Sequence, residues 1–275
     1  MMGFFHSERL NDLNVGRKKI AELKESQDKT VIVHYSCESF FNTKGRTPRI
    51  TSICVKTRGN NNAKAFSIHL QAQIQDKDLT TLTDDDYDAL EKEMLKEFYD
   101  FVKKHKTYKW VHWNMRNASY GFEAIANRYK ILKGKPIDIE DQFKYDLPDL
   151  LGLIYTYKFE AHKPKGQLLN LADRNQITSR DALTGKDEAI AFDNKQYLEL
   201  HMSTMRKVEV IDRILALEEK NQLNVGLKMY QVYGLTPIGI VEIVKNNVWL
   251  FAAWSLLIFI AGIVLEPVVQ KLLGI

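Results

Sequence analysis

From Val248 to Leu265 the chain reads VWLFAAWSLLIFIAGIVL, eighteen residues without a charge and with one hydroxyl, Ser255. As a helix such a run covers ~27 Å, close to the hydrocarbon thickness of a bilayer. A core helix of a soluble fold usually carries a polar face, and this run has none. It is therefore predicted to cross a membrane once as a tail anchor, with Trp249 and Trp254 favouring the interface. Ser255 and Gly262, together with Ala252, Ala253 and Ala261, are small or polar positions where neighbouring helices could approach in a homo-oligomer. Lys245, just ahead of the run, fits a cytosolic N-terminal flank under the positive-inside tendency. The N-terminal MMGFFH turns charged at Ser7-Glu8-Arg9, too early for a secretory leader, so the expectation is a single-pass protein with a cytosolic N-terminal domain. Upstream, Thr236-Pro237 reads as a helix start. The apolar residues that follow suit either an interfacial helix or one longer tilted helix joined through Asn246-Asn247.

The last forty residues carry only Glu242, Lys245, Glu266 and Lys271, so the formal charge of +4 belongs to the preceding domain. That balance permits a nucleic-acid or anionic-membrane partner without demanding one. Cys37 and Cys54 have neither C-x-x-C spacing nor a nearby histidine cluster, which argues for two reduced, buried thiols rather than a zinc or redox site.

Patterning divides the chain into a charged N-terminal segment (1–29), a folded domain (30–222), a linker and juxtamembrane stretch (223–247), the apolar helix (248–265) and a short tail (266–275). Strands are predicted at 31–35, 49–55 and 65–70, separated by turn-forming residues, as an antiparallel meander. Apolar residues then recur at helical spacing from 82 to 105, behind Thr83-Asp84-Asp85-Asp86, whose acids read as caps. A strand at 109–113 is followed by helices at 119–132, 146–157, 166–176 and 194–219. This order predicts an α/β sheet flanked by helices.

Val33-His34-Tyr35-Ser36-Cys37-Glu38-Ser39 at the first strand, His112-Trp113-Asn114 with Tyr120-Gly121-Phe122-Glu123, Asp146-Leu147-Pro148-Asp149-Leu150-Leu151, Leu168 to Ile177, and His201 to Lys207 follow one another in a familiar sequence. Together they resemble the DEDD 3′–5′ exonucleases, the proofreading branch of the ribonuclease H-like superfamily, over residues 30–218. The resemblance implies a mixed sheet of three antiparallel strands followed by parallel additions. It also implies phosphodiester hydrolysis by two divalent ions held on four carboxylates. Here Glu38 matches the family pattern, but the other three carboxylate positions hold Ser36, Gly121 and either Arg206 or Lys207. Glycine offers no ligand and a basic side chain repels a metal. The expectation is therefore a pseudoenzyme with no cofactor.

The remaining catalytic candidates are His201, which matches the family's general-base type, and Asp138 and Glu140, whose alternate spacing would put both on one face of a strand. Three basic runs interleaved with aromatic residues are candidate nucleic-acid contacts: Lys44, Arg46 and Arg49; Lys103, Lys104, Lys106, Tyr108 and Lys109; Arg128 and Lys130. The sequence thus predicts a membrane-anchored, non-catalytic exonuclease-like domain. It would bind nucleic acid, a nucleotide or a cytosolic protein and act through its helix, by analogy as an oligomeric prokaryotic antiviral effector. The alternatives are an active tethered nuclease whose rearranged site still takes a divalent metal, and a membrane scaffold.

Overall fold

A computed structural model describes residues 8–39 and 45–273, with side chains as far as Pro267. Its centre is a mixed five-stranded sheet of order β3-β2-β1-β4-β5. The strands are β1 (Thr30–Cys37), β2 (Ile50–Thr57), β3 (Asn62–Ser67), β4 (Lys109–His112) and β5 (Lys144–Asp146). The first three form an antiparallel meander, and β4 and β5 join parallel to β1, with Thr30 opposite Lys109 and His112 opposite Asp146.

The side-chain alternation of β1 explains the two layers around the sheet. Val31, Val33 and Tyr35 face a core that includes Leu90, Met94 and Phe98 of α3 (Asp84–Lys104). Ile32 faces the opposite core, built with α1 (Glu8–Glu25), α5 (Leu147–Tyr155), α6 (Gln167–Arg174) and the long α8 (Tyr197–Glu219). Thr83 and Asp86 form the reciprocal capping box that their spacing predicted for α3.

Several boundaries differ from the sequence reading. The third strand stops at Ser67, whose hydroxyl caps α2 (Ile68–Ile74) by accepting the Leu70 N–H, so Ile68, His69 and Leu70 are helical rather than extended. A hydroxyl cap here overrides a short apolar run that has strand-like composition. Asp138 and Glu140 lie in irregular chain ahead of β5 and not in a strand. Between α4 (Phe122–Ile131) and β5 no such strand is formed. A further helix, α7 (Gly185–Asp193), was not anticipated.

The first segment is part of the fold. Leu13, Gly16, Ile20 and Leu23 of α1 are buried, and a Cβ on Gly16 would meet the Leu150 carbonyl oxygen at 3.1 Å, so glycine lets α1 lie directly on α5. Nor is the stretch before the apolar helix extended: it forms α9 (Met229–Tyr233) and α10 (Pro237–Lys245). Arg9 donates to the carbonyls of Leu153, Ile154 and Val232, which ties α1 and α5 to α9. Leu13, Val232 and Tyr233 form a small cluster on which Ile243 of α10 also packs.

Asn246 ends α10, and Asn247 starts α11 (Val248–Leu273) by accepting the N–H groups of Trp249 and Leu250 at 3.1 Å each. The two helices are therefore separate, not one long rod. Within α11 the stretch Val248–Pro267 has a mean hydropathy of 2.5 and none of its most apolar window is buried. It is the one helix among the described residues long and apolar enough to cross a membrane. Its exposure argues against a place in the soluble core.

Candidate functional site at the end of the first strand

At the C-terminal end of β1 the face that covers α8 turns from apolar to polar. Ile32 gives way to His34 and Ser36, and α8 presents Thr204 and Lys207 above them. Thr204 Oγ1 lies 3.0 Å from the Leu200 carbonyl oxygen and 2.8 Å from Ser36 Oγ, and in the latter pair either hydroxyl can donate. Lys207 Nζ lies 2.8 Å from Glu188 Oε1 on α7, and both side chains are buried. Ser203 donates to the same carboxylate oxygen at 2.6 Å and accepts the Leu183 N–H at 2.9 Å. The ammonium thus has a buried counter-ion that also accepts the Ser203 hydroxyl, as a buried ion pair needs to be tolerable.

Glu38 is engaged as well. Arg46 donates to both of its oxygens, Arg49 N–H donates at 2.9 Å, and Arg49 Nη1 lies at 3.4 Å. Burial works to raise its pKa, but the hydrogen bonds from Arg46 and Arg49 outweigh it and hold the carboxyl below its usual range. The carboxylate is ionised but already enclosed by two guanidinium groups.

Gly121 reaches the same end of the sheet. Its N–H donates to the Tyr35 hydroxyl at 2.9 Å, and the Tyr120 hydroxyl donates to the Tyr35 carbonyl, also at 2.9 Å. The Tyr35 and Tyr120 rings stack with centroids 4.5 Å apart. A Cβ at position 121 would collide with the Met115 carbonyl oxygen and stand 2.6 Å from its carbon and 3.0 Å from the Asn117 oxygen. Backbone contact therefore requires glycine here. Gly121→Asp is expected to lower stability by about 1–3 kcal/mol through overpacking without creating a magnesium site. Thermal unfolding together with magnesium titration calorimetry checks this, and an undiminished melting temperature would contradict the clash.

Thus Ser36, Glu38 and Lys207 line one cavity of about 610 Å³, and Gly121 touches its neighbouring residue Tyr35. Of the two basic candidates at the fourth position, Lys207 faces this site. Arg206 turns away to Asp181 at 3.2 Å and Glu209 at 2.6 Å. The residues present do not fit a divalent ion: the one matching carboxylate is taken by arginines, and the Lys207 ammonium lines the same cavity. Among the described residues no group of three or more His, Cys, Asp or Glu side chains is arranged to hold a metal.

Other candidates fall elsewhere. His201 stacks edge-on against His69 with centroids 5.0 Å apart, outside the cavity lining, and burial lowers its pKa. Asp138 and Glu140 are exposed on either side of buried Ile139 in irregular chain, and neither lines the cavity at the end of β1. Arg49 and Arg128 are buried structural residues. Arg49 pairs with Glu38, Asp84 and Asp88, and Arg128 with Glu91 and Asp88, which leaves neither for phosphate. Arg46 is committed to Glu38. Lys44 lies outside the described residues.

The run Lys103, Lys104, Lys106, Tyr108 and Lys109 sits where β4 begins, beside Thr30, so the eight-residue strand β1 separates it from Glu38 by roughly 25 Å. Lys109 there donates to the Glu22 carbonyl at 2.8 Å, and the Tyr108 ring packs edge-on against His105. Lys130 lines a different hollow, with Pro136 and Lys144. The three basic runs do not converge on one track.

Cys37 and Cys54 are free; Cys54 is buried as expected, whereas Cys37 is only half-buried and lines the cavity, and desolvation pushes both thiols up to about 12. His34, Glu188 and the part played by Lys207 were missed from sequence. One signal was present: Thr184 and Asp187 have cap spacing, and Thr184 indeed accepts the Asp187 N–H, which would have revealed α7 and hence Glu188. Comparison with known proteins adds no label to this site: no family model matches the chain, and no curated protein is similar to it.

Proposed function

We propose that this chain is a membrane-anchored, non-catalytic domain of the ribonuclease H-like, DEDD-exonuclease type, which binds a ligand on its soluble side and acts through α11. The observation that carries the reading is Lys207, whose buried ammonium pairs with Glu188 at 2.8 Å in the place where the resemblance calls for a metal-binding carboxylate. Ser36 and Gly121 stand at two other carboxylate positions, and Glu38, the remaining match, is enclosed by arginines. The sheet order supports the fold side of the proposal, since an antiparallel trio with two parallel additions is what the resemblance implies.

The membrane side rests on α11, and the packing of α10 through Ile243 holds the domain close to the start of that helix. With the domain cytosolic, Lys245 lies on the positive-inside flank. A lone helix satisfies its own backbone and opens no water path, so a permeability effect would require several copies.

The test is full-length protein in detergent, incubated with labelled single-stranded DNA and RNA and with magnesium or manganese. No metal-dependent cleavage is expected. Cleavage abolished by Glu38→Gln in folded protein would overturn the reading and establish a tethered nuclease.

A further inference from the structure

The apolar surface of this chain does not begin with α11. Leu235, in the turn ahead of α10, is 72% exposed, and Ile240 and Val241 within α10 are 47% and 46% exposed. Apolar side chains exposed singly are ordinary, but those of α10 belong to a stripe. At ~100° per residue, Pro237, Ile240, Val241 and Val244 fall in one sector of the helix about 100° wide. Gly239 and Ile243 fall in a sector roughly 130° away, and that side meets the domain. Gly239 is buried against the end of α9, where a Cβ would stand 2.7 Å from the Gly234 carbonyl oxygen. Ile243 packs on Leu13, Val232 and Tyr233. These contacts fix the rotation of α10 and turn its stripe outward.

Only Asn246 and Asn247 separate α10 from α11, so the two helix ends lie within ~11 Å of each other. Val248–Pro267 covers ~30 Å as a helix, which matches the hydrocarbon thickness and leaves its first turn at the edge of the acyl layer. The outward stripe therefore starts at the level of the headgroups. On its flank Lys245 pairs with Glu242 at 3.1 Å, so this pair carries no net charge with which to select anionic lipid.

We propose that α10, with Leu235 ahead of it, is a foot that seats the domain on the bilayer. Its outward stripe enters the boundary between headgroups and acyl chains, and zwitterionic phospholipid suffices as the partner. The inference rests on the anchoring reading of α11 and adds a second, peripheral contact to it. Arg9 ties α1 and α5 to α9, and Ile243 ties α10 to the same cluster. The seated domain therefore holds one orientation to the membrane instead of swinging on a tether.

The test uses full-length protein reconstituted in phosphatidylcholine vesicles. The photo-crosslinking residue p-benzoylphenylalanine is placed, one position at a time, at Ile240, Val241, Glu242 or Phe251, and at exposed Lys103 as a position remote from α10. After irradiation, mass spectrometry reads lipid adducts and gel electrophoresis reads crosslinked dimers. Lipid adducts are expected at 240, 241 and 251 and not at 103, with yields at 240 and 241 at least fivefold above that at 242. Lipid adducts at 251 with none at 240 and 241 would overturn the foot and leave the anchor. Equal yields at 240, 241 and 242 would also overturn it, because they would mean proximity to lipid without a docked face. Dimers at 240 and 241 in place of lipid adducts would assign the stripe to a second copy of the chain and overturn it as well. Absence of a lipid adduct at 251 would instead remove the anchoring reading, so the two failures are distinguishable.

Discussion

Replacing Ile258 and Phe259 together by arginine is expected to release full-length protein from membranes into the soluble fraction, or to leave it aggregated. Both side chains sit near the middle of Val248–Pro267, and they are 58% and 65% exposed. Each arginine at a bilayer centre costs about 2.5–3.5 kcal/mol on insertion scales, so the pair weakens insertion by roughly 5 kcal/mol or more. Flotation on a density gradient after alkaline washing reads the outcome, because aggregates sediment while membranes rise. A double variant that still floats with the washed membranes would show that α11 does not hold the chain there. Leu substitutions at the same two positions should leave the distribution unchanged, which separates polarity from a packing effect.

Inside the domain a large loss is expected at the Lys207–Glu188 pair, whose side chains are both buried. Lys207→Met strands a buried carboxylate that keeps the Ser203 hydroxyl as a donor, and Glu188→Leu strands a buried ammonium. Removing one partner of such a pair typically costs about 3–5 kcal/mol, because the remaining charge is desolvated without compensation. In a domain of this size that corresponds to a melting temperature lower by roughly 10 °C. The double variant Lys207→Met with Glu188→Leu should recover much of the loss, since neither charge is then buried. Urea unfolding of the four proteins forms a double-mutant cycle. A coupling below about 1 kcal/mol would mean that the two groups do not depend on each other. Neither variant should acquire metal-dependent cleavage, because Gly121 and the arginine-bound Glu38 are unchanged.

Local pattern made much of the architecture legible. β-branched runs marked β1 and β2, the Thr83–Asp86 box marked the start of α3, and Leu147–Tyr155 and Tyr197–Glu219 emerged from helical spacing within a few residues. The errors arose where a local preference was outweighed. Ile68-His69-Leu70 has strand-like neighbours, yet the Ser67 cap turns it into a helix. The three residues of β5 are too few to show a period, and they become a strand only because β4 offers an open parallel edge. The basic runs were visible as composition, but composition carries no direction. Arg49 and Arg128 point inward to acids, while the lysines before β4 lie at the far end of the sheet.

By itself the sequence determined the apolar α11, the α/β pattern and the presence of serine, glycine and a basic residue at positions 36, 121 and 206–207, because charge, periodicity and residue identity are local properties. Tertiary structure decided the rest. It chose Lys207 over Arg206 as the residue facing the cavity, since helical phase is set by packing against β1. It supplied Glu188, from a helix the pattern did not reveal, as the counter-charge. It made Gly121 obligatory through the Met115 backbone, and it left His34 buried without a hydrogen-bond partner among the described residues. Each of these depends on distances between residues far apart in the chain, which are fixed only when the sheet and its helices close around one another.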